Sequence, residues 1–492
     1  MEQEKRKQAA CWLLIGVVIL LGASPAMAQE PAAGEEAAGY EDVLSGFDDS
    51  DASGLDSEPL PEETDQGRPR WHLGGDLTLS SIWNVSHEAP DPGEIDHRGL
   101  SRLRAELNLE LEADLFESWR GYVSGRGFYD GAYEIQGRDE YPHQVLDEYE
   151  DEVEFRETYI QGSPLPNLDL TVGRQIIVWG NTENFRVTDV LNPEDNRVPG
   201  LIDIEDMRLP VCAAKADLYW SDAVGRYGLS LIAIPELRYN KEPVFGSDFY
   251  PLDTPRPDDN LPSQNLENTE VALALTGIFH NWDLSLYGAY YYENTKRIEL
   301  EEINYVPVTL PGGLPSLQPV PVFEMAPSRI GMVGLSLNYA LGSWLLKSEL
   351  AWSKGYEYVY AADKKSRLDG LVGFEYTGLT NTTLTLECQQ TYMPDFKDEM
   401  RQAPDYAESS SFTTAFRVNQ DWMHDRLELM FLAMVMGIEA EDGAFERLSA
   451  AYDLSDNLTA TVGCVFYQDG EAAAMDNVHD NNRVYLELTR NF

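Results

Sequence analysis

The chain has 492 residues, of which 85 are Asp or Glu and 36 are Lys or Arg, giving a formal net charge of −49. This balance excludes a nucleic-acid-binding protein, because neutralising phosphates requires clusters of Lys and Arg that the composition does not supply. It also argues against a basic protein of the membrane surface. The four cysteines cannot form a disulfide scaffold in a chain of this length.

The first 28 residues have the pattern of a secretory signal peptide. A basic segment, Lys5–Lys7, precedes an apolar run from Trp12 to Gly22, and residues 26–28 (Ala-Met-Ala) supply the small side chains that signal peptidase accepts. We therefore predict that residues 1–28 are removed during secretion. No later stretch reaches the roughly 18 consecutive apolar residues of a membrane-spanning helix.

Residues 29–69 contain thirteen acidic groups and one basic group, with Ala, Gly and Pro throughout. Such a composition cannot bury enough apolar surface to fold alone, so we predict a disordered acidic arm in the periplasm. Within this arm, four apolar side chains stand among carboxylates, a pattern that suits a short segment folding on a partner: Tyr40, Val43, Leu44 and Phe47. A solvated spacer is the alternative interpretation.

From residue 70 to the C-terminus the dominant hydrophobic period is two, which is typical of β-strands with unlike faces. In the segment 102–113, apolar residues alternate with charged residues of both signs, as expected where one face meets lipid and the other a water-filled lumen. The sequence therefore predicts an all-β fold over residues 70–492, a transmembrane antiparallel β-barrel of about 18 strands, with about 16 as the second choice.

Ten charged residues fall in the phase assigned to the lumen: Arg102, Arg104, Glu110, Glu112, Arg120, Arg126, Arg156, Arg367, Asp369 and Glu375. Many of the excess carboxylates lie instead in the arm and in predicted loops. Acidic loops concentrate cations at the mouth of a channel, so we expect a mild cation preference at low salt.

The predicted connections alternate between short turns and long loops. Turns such as 164–167 and 341–342 follow even-numbered strands, whereas connections of about thirty residues near 180–210, 239–267 and 296–327 follow odd-numbered ones. Outer-membrane barrels have short periplasmic turns and long extracellular loops, so both chain ends are predicted to be periplasmic in a Gram-negative outer membrane. The terminal strand ends in Phe492, which resembles the signal read by the barrel-assembly machinery.

No constellation of catalytic or metal-binding residues emerges from the sequence. The seven histidines never pair at the spacing of metal ligands, and no nucleophile, base and orienting acid can be singled out. Cys212, Cys388 and Cys464 fall in the apolar phase and are interpreted as small lipid-facing residues. We therefore expect no enzyme activity, no cofactor and no metal.

Three segments carry a resemblance to a known family. They are 172–180 (Val-Gly-Arg-Gln-Ile-Ile-Val-Trp-Gly), 186–195 (Arg-Val-Thr-Asp-Val-Leu-Asn-Pro-Glu-Asp) and 208–211 (Arg-Leu-Pro-Val). These segments resemble a family of outer-membrane proteins known only as a domain of unknown function, which is similar in outline to alginate-export-like barrels and general porins. The resemblance implies an outer-membrane barrel whose genes often neighbour RND-type exporters of lipid-like molecules. It names no substrate.

The same region is predicted to contain the narrowest part of the lumen. Strict alternation places Arg174 on the lipid face, where a guanidinium at mid-bilayer costs about 2 to 4 kcal/mol in barrels. We therefore expect a β-bulge at Gly173 that turns Arg174 inward. Asp189 and Asp195 are its expected carboxylate partners, because a paired guanidinium is far less costly in a narrow pore.

The loop that follows, 180–210, is long enough to fold into the lumen, and an extracellular loop packed on its neighbours is the alternative. Arg186 is expected to meet a lumen carboxylate such as Glu154. The predicted constriction thus consists of Arg174, Arg186, Asp189, Asn192 and Asp195.

These observations lead to two functional hypotheses. The first is a porin-like outer-membrane channel that transports a small or lipid-like solute through a lumen narrowed by the 180–210 loop. The alternative is an outer-membrane component of an RND-type export or lipid-transfer system, docked through the N-terminal arm. Outer-membrane lipid and the barrel-assembly machinery are the other expected partners, and nucleic acid is not one.

Overall fold

The computed structural model describes residues 71–492, apart from 117, 253, 310–314 and 477. The predicted signal peptide (1–28), the acidic arm (29–69) and the four apolar residues of that arm therefore lie outside the described residues. Among the described helices, none is both long enough and apolar enough to cross a membrane.

Eighteen antiparallel strands of the described chain form one sheet that closes on itself. The first and last strands of the chain close the ring by pairing from Asp76↔Asn491 to Asn84↔Arg483. This confirms the predicted eighteen-stranded barrel. Counting a separate hairpin (β10 and β11), the strands are β1 (Trp71–Asn84), β2 (Gly99–Phe116), β3 (Trp119–Asp130), β4 (Asp151–Leu165), β5 (Leu168–Gln175), β6 (Val211–Ser221), β7 (Arg226–Ile234), β8 (Glu270–Ile278), β9 (Trp282–Tyr292), β10 (Arg297–Thr309), β11 (Pro315–Ala326), β12 (Arg329–Leu341), β13 (Trp344–Tyr358), β14 (Ala361–Leu379), β15 (Thr382–Tyr392), β16 (Ser410–Trp422), β17 (Leu427–Met436), β18 (Gly443–Ser455), β19 (Leu458–Gln468) and β20 (Arg483–Asn491).

Alternation along the strands separates an apolar outer face from a polar inner face, because successive side chains of a strand point to opposite sides. In β2, Leu103 and Leu107 are exposed on the outer face, whereas Arg104 is buried inside the barrel. The three free cysteines lie in the same phase as exposed apolar residues of their own or neighbouring strands. This placement agrees with their interpretation as small outward-facing residues.

Short turns and long connections alternate around the barrel. Residues 166–167 join β4 to β5, whereas 176–210 join β5 to β6 and 235–269 join β7 to β8. The third long connection carries the hairpin of β10 and β11, paired from Arg297↔Ala326 to Thr309↔Pro315, in place of an irregular loop. Which end of the barrel faces the periplasm stays a prediction.

In the described part of the chain, three short α-helices lie in connections between strands. The helices α1 (Ala132–Gln136) and α2 (His143–Tyr149) stand between β3 and β4, and α3 (Ile204–Met207) lies within the connection from β5 to β6. The strand that precedes this last connection is short. β5 has eight residues, whereas its neighbour β4 has fifteen, so β4 extends beyond β5 at this point of the wall.

The predicted bulge at Gly173 is wrong. The register of β5 runs without a shift through Gly173 and Arg174 on both sides, so Arg174 shares the outer face with its register partner Cys212. Gly173 has a φ of 137°, and a Cβ there would lie 2.3 Å from a carbonyl oxygen of β4, so the position requires glycine for a close approach. Arg174 is accommodated on the outer face because it forms an ion pair with Glu236.

Candidate functional site

The connection from β5 to β6, residues 176–210, enters the barrel and packs against its inner wall; we call it the inner loop. Trp179 of this loop stacks on Tyr287 of β9, with ring centroids 4.8 Å apart. Apolar residues of the loop are buried in one cluster with inward-facing residues of the wall: Ile177, Phe185, Val187 and Leu191 from the loop, and Ile234, Met430 and Leu432 from the wall. Burial of this apolar surface favours the folded-in position.

Two carboxylates of the wall hold the inner loop through its polar groups. Glu387 of β15, which is fully buried, accepts hydrogen bonds from the N–H groups of Glu183 and Asn184 at 3.0 and 2.9 Å, and from the Asn184 side chain at 3.1 Å. Glu349 of β13 accepts from the N–H and the hydroxyl of Thr188 at 3.1 and 2.8 Å. Buried N–H groups require partners, so these carboxylates fix the path of the loop.

Ion pairs attach the inner loop at further points of the wall. Lys347 of β13 pairs with Glu183 at 2.8 Å. Asp203 pairs with Arg417 of β16 at 3.2 Å and also with Arg447 of β18. Together with the carboxylate contacts, these pairs connect the loop to strands on several sides of the barrel. The inner loop therefore crosses the lumen.

Asn192 organises the base of the inner loop. It has no exposed surface, and its side-chain oxygen accepts a hydrogen bond from the N–H of Ile177 at 2.7 Å. Its side-chain nitrogen donates to the carbonyl of Leu209 at 2.9 Å. The amide thus joins the beginning of the loop to its end, a role that needs both a donor and an acceptor.

Arg186 is bound inside the loop. It pairs with Asp189 at 3.1 Å and with Glu194 at 2.9 Å, and the predicted contact with Glu154 is wrong. Asp189 also pairs with Arg208 at 2.9 Å, so one buried carboxylate joins two arginines. These residues stabilise the loop from within rather than lining an aperture.

Arg174 has different partners from those predicted. It pairs with Glu236, which follows β7, and its guanidinium lies 3.9 Å from Glu154 of β4. The expected pairing with Asp189 or Asp195 is therefore wrong. The reason is geometric, because Arg174 stays on the outer face of the wall while both aspartates lie in the inner loop.

Asp195 pairs instead with Arg197, at 2.6 Å, and Arg197 also contacts Glu152 of β4 at 2.9 Å. Burial alone would raise the pKa of Asp195, but hydrogen bonds and the charge of Arg197 lower it to about 2. Asp195 is therefore ionised at physiological pH, and it joins the inner loop to the rim of the wall through Arg197.

An acidic turn of the inner loop, residues 203–206, faces a basic part of the wall. Burial and the neighbouring Asp203 raise the pKa of Asp206. Three wall arginines act on Asp206 in the opposite direction: Arg126 of β3, Arg156 of β4 and Arg447 of β18. The acidic turn and this part of the wall therefore carry opposite charges on adjoining surfaces.

The ten predicted lumen charges stand in the inward phase of their strands. Glu110 and Glu112 are exposed, and nine of the ten residues, including Glu112, have a polar partner on the wall or the inner loop. The contacts are Arg102 and Arg104 with Asp130 (4.0 and 3.5 Å), Arg120 with Glu112 (3.7 Å), Arg126 with Glu106 (2.8 Å), Arg156 with the Arg208 carbonyl (2.9 Å), Arg367 with Asp369 (2.8 Å) and Glu375 with Lys347 (2.8 Å).

A family model for proteins of unknown function, DUF1302, matches residues 13–492. The chain belongs to the DUF1302 family. A search of the curated proteins found no match. The resemblance noted in the sequence is thus confirmed at the level of a family of unknown function.

Solved barrels have the same fold as this DUF1302 protein. Each of the following aligns with 86% of this chain and 97% of its own. They are OccK9 (OpdG) of Pseudomonas aeruginosa, 10% identical with a TM-score of 0.50; a BenF-like porin of Pseudomonas fluorescens, 11% identical with a TM-score of 0.48; and OccK2 (OpdF) of Pseudomonas aeruginosa in complex with glucuronate, 13% identical with a TM-score of 0.47. The similarity to OccK9 extends over most of both chains and shows that the DUF1302 chain has the β-barrel fold.

The attachment residues of the DUF1302 barrel were not predicted from its sequence. Glu349, Asp203, Arg417 and Arg447 each lie in a strand or loop that contains other charged residues, so nothing in the sequence distinguishes them. One signal was available: Glu387 is the only charged residue of β15, and it stands in the inward phase. Among the residues that the structure describes, no group of three or more His, Cys, Asp or Glu could hold a metal ion.

Proposed function

We propose that this protein is an outer-membrane channel whose lumen is narrowed by the inner loop. Solutes pass alongside the ion pairs that the acidic turn, residues 203–206, forms with arginines of the wall. The observation that supports this proposal most directly is the attachment of the loop to inward-facing residues, above all Glu387 and Glu349. A loop held by buried carboxylates keeps a defined aperture, which a flexible extracellular loop would not.

Asp203 is the residue that best tests the proposal, because it neutralises two wall arginines, Arg417 and Arg447. Replacing it by Asn leaves these guanidinium groups without a carboxylate while changing the side-chain volume little. In planar bilayers we expect the wild-type protein to conduct KCl and Asp203→Asn to shift the reversal potential toward anions. Asp456→Asn, in the turn between β18 and β19, is the matched control for the loss of one negative charge.

Two results would contradict the proposal. If the purified, folded protein does not conduct ions, it is not a channel. If Asp203→Asn and Asp456→Asn change the reversal potential equally, the acidic turn is not the selective part of the lumen.

A further inference from the structure

The barrel wall is incomplete beyond the end of β5. With eight residues, β5 is shorter than the about 9 to 11 residues that a strand needs to cross a bilayer. Its pairing with β4 ends at Thr158↔Arg174, although β4 continues to Asp151 along β3. The chain segments that face the free edge of β4 are 208–210 and 236–241. We call the boundary between residues 152–157 of β4 and these two segments the seam.

The outer side of the seam carries two exposed apolar side chains next to the outward-facing Arg174. Val153 and Phe155 stand on the outer face of the free edge and are 87% and 70% exposed. Their register partners on β3 are Gly127 and Gly125, so no large neighbouring side chain covers them from that strand. Outward apolar side chains of a membrane barrel contact lipid. The seam therefore faces the hydrocarbon of the membrane.

Among the described residues, side chains rather than backbone ladders join the two sides of the seam. An open strand edge persists in hydrocarbon only where its polar groups are satisfied, and Arg174 donates a hydrogen bond to the carbonyl of Phe155 at 3.1 Å. The ion pairs across the seam are Arg238 with Glu154, and Lys241 with Glu152 and Glu154. Arg156 donates a hydrogen bond to the carbonyl of Arg208 at 2.9 Å, and Arg174, at the end of β5, lies between Glu236 and Glu154.

From this geometry we infer that the seam is a lateral opening through which a single-chain amphiphile passes between the lumen and the outer membrane. The inference rests on the channel function proposed above and adds a substrate class and a route. Typical neighbours in the wall, such as β12 and β13, pair continuously from Gly331↔Lys354 to Leu341↔Trp344. Separating such strands breaks a whole ladder of backbone hydrogen bonds, whereas separating the two sides of the seam breaks only a few side-chain contacts.

The two surfaces of the seam suit the two parts of an amphiphile. Its inner side carries carboxylates and cations, which interact with a polar head group, for example Glu154 and Arg238. Its outer side carries Val153 and Phe155, which suit an alkyl chain. A solute without an apolar part gains nothing by moving from the lumen into the hydrocarbon, so the lateral route selects amphiphiles.

Locking the seam tests the inference. The native side chains of Glu154 and Arg238 are in direct contact across the seam. In the double variant Glu154→Cys/Arg238→Cys, with the other mature cysteines replaced by Ser, a cleavable bis-maleimide cross-links the two sides. The probe is fluorescent NBD-dodecanoate, and the readout is its uptake by cells that produce the protein. The matched control is Thr276→Cys/Ser285→Cys, whose native hydroxyl oxygens lie 3.0 Å apart across the continuous pair of β8 and β9.

We expect cross-linking of the seam to abolish the barrel-dependent uptake, reduction of the linker to restore it, and cross-linking of the control to leave it unchanged. Equal uptake before and after locking the seam would overturn the inference. KCl conductance of the purified wild-type protein separates the two proposals. If the protein conducts KCl but cross-linking of the seam does not change the uptake of NBD-dodecanoate, only the lateral opening is refuted. If the protein does not conduct KCl, the channel function is refuted.

A single substitution covers the case in which the double variant does not assemble. Glu236→Gln removes the charge that holds Arg174 across the seam but keeps a hydrogen-bonding side chain of the same size. We expect faster uptake of NBD-dodecanoate than in the wild type. Uptake at the wild-type rate by a correctly assembled Glu236→Gln protein would contradict the inference.

Discussion

Removing the carboxylate of Glu387 should release part of the inner loop. This side chain is fully buried and accepts three hydrogen bonds from Glu183 and Asn184. At a net contribution of about 1 kcal/mol each, these bonds favour the attached loop by about 3 kcal/mol. In Glu387→Ala the ratio of attached to detached loop should therefore fall about a hundredfold, since about 1.4 kcal/mol corresponds to a factor of ten.

Single-channel recording in planar bilayers measures this effect. Glu387→Ala should show a larger mean conductance and more frequent transitions between levels, because the segment around residues 183–184 no longer stays on the wall. Assembly should be unaffected, since the outer face of β15 is unchanged. A heat-modifiable band on a denaturing gel checks that the barrel has folded.

Glu112→Ala is the matched control for the loss of an inward-phase carboxylate. Glu112 is exposed near the turn from β2 to β3, and its nearest cation, Arg120, lies 3.7 Å away. The control should conduct like the wild type. If a correctly folded Glu387→Ala protein has the conductance and noise of the wild type, the attachment does not set the aperture and the reasoning fails.

Four further predictions follow from the same structure. A tag inserted near Asp258 should be labelled on intact cells and one at Gly342 should not, and labelling at Gly342 would reverse the assigned topology. Cation preference should be mild at low salt and should fade as the Debye length falls to about 8 Å at physiological ionic strength, whereas anion preference at low salt would show that the lumen arginines dominate. Gly173→Ala should lower the yield of folded barrel, because its Cβ would lie 2.3 Å from a carbonyl oxygen, and a normal yield would show that β4 can move. Replacing Asp189 and Asp195 together by Ala should raise conductance without preventing assembly, and wild-type conductance would show that the loop does not control the pore.

The fold was predictable because a barrel depends on a local pattern. Each strand is recognised from its own alternation, and pairing of consecutive strands needs no further information once closed topology is assumed. The hairpin of β10 and β11 escaped prediction for the same reason. Three prolines, at 315, 319 and 321, argue against a strand in one segment, and a register shift between Leu300 and Glu302 interrupts the alternation of the other.

The position of Arg174 shows where local reasoning fails. Strict alternation placed it correctly on the outer face, and the free-energy cost of a lipid-facing guanidinium then argued for a bulge. That argument assumed a continuous apolar wall around Arg174. In the structure β5 ends one residue later, and Glu236, distant in sequence, offsets the cost. A local sequence pattern cannot predict that Arg174 pairs with a residue 62 positions away in the chain.

The motif residues and the residues proposed to line the channel are different sets with different physical roles. Asn192, Arg186 and Asp189 are buried and bind one another or the loop backbone, so their spacing in the sequence reflects a loop that folds around itself. The acidic turn around Asp203 instead meets the wall, where both partners come from distant strands. Two chains that share the motif will then share a loop fold, while the charges around the aperture, and with them the preferred solute, are free to differ.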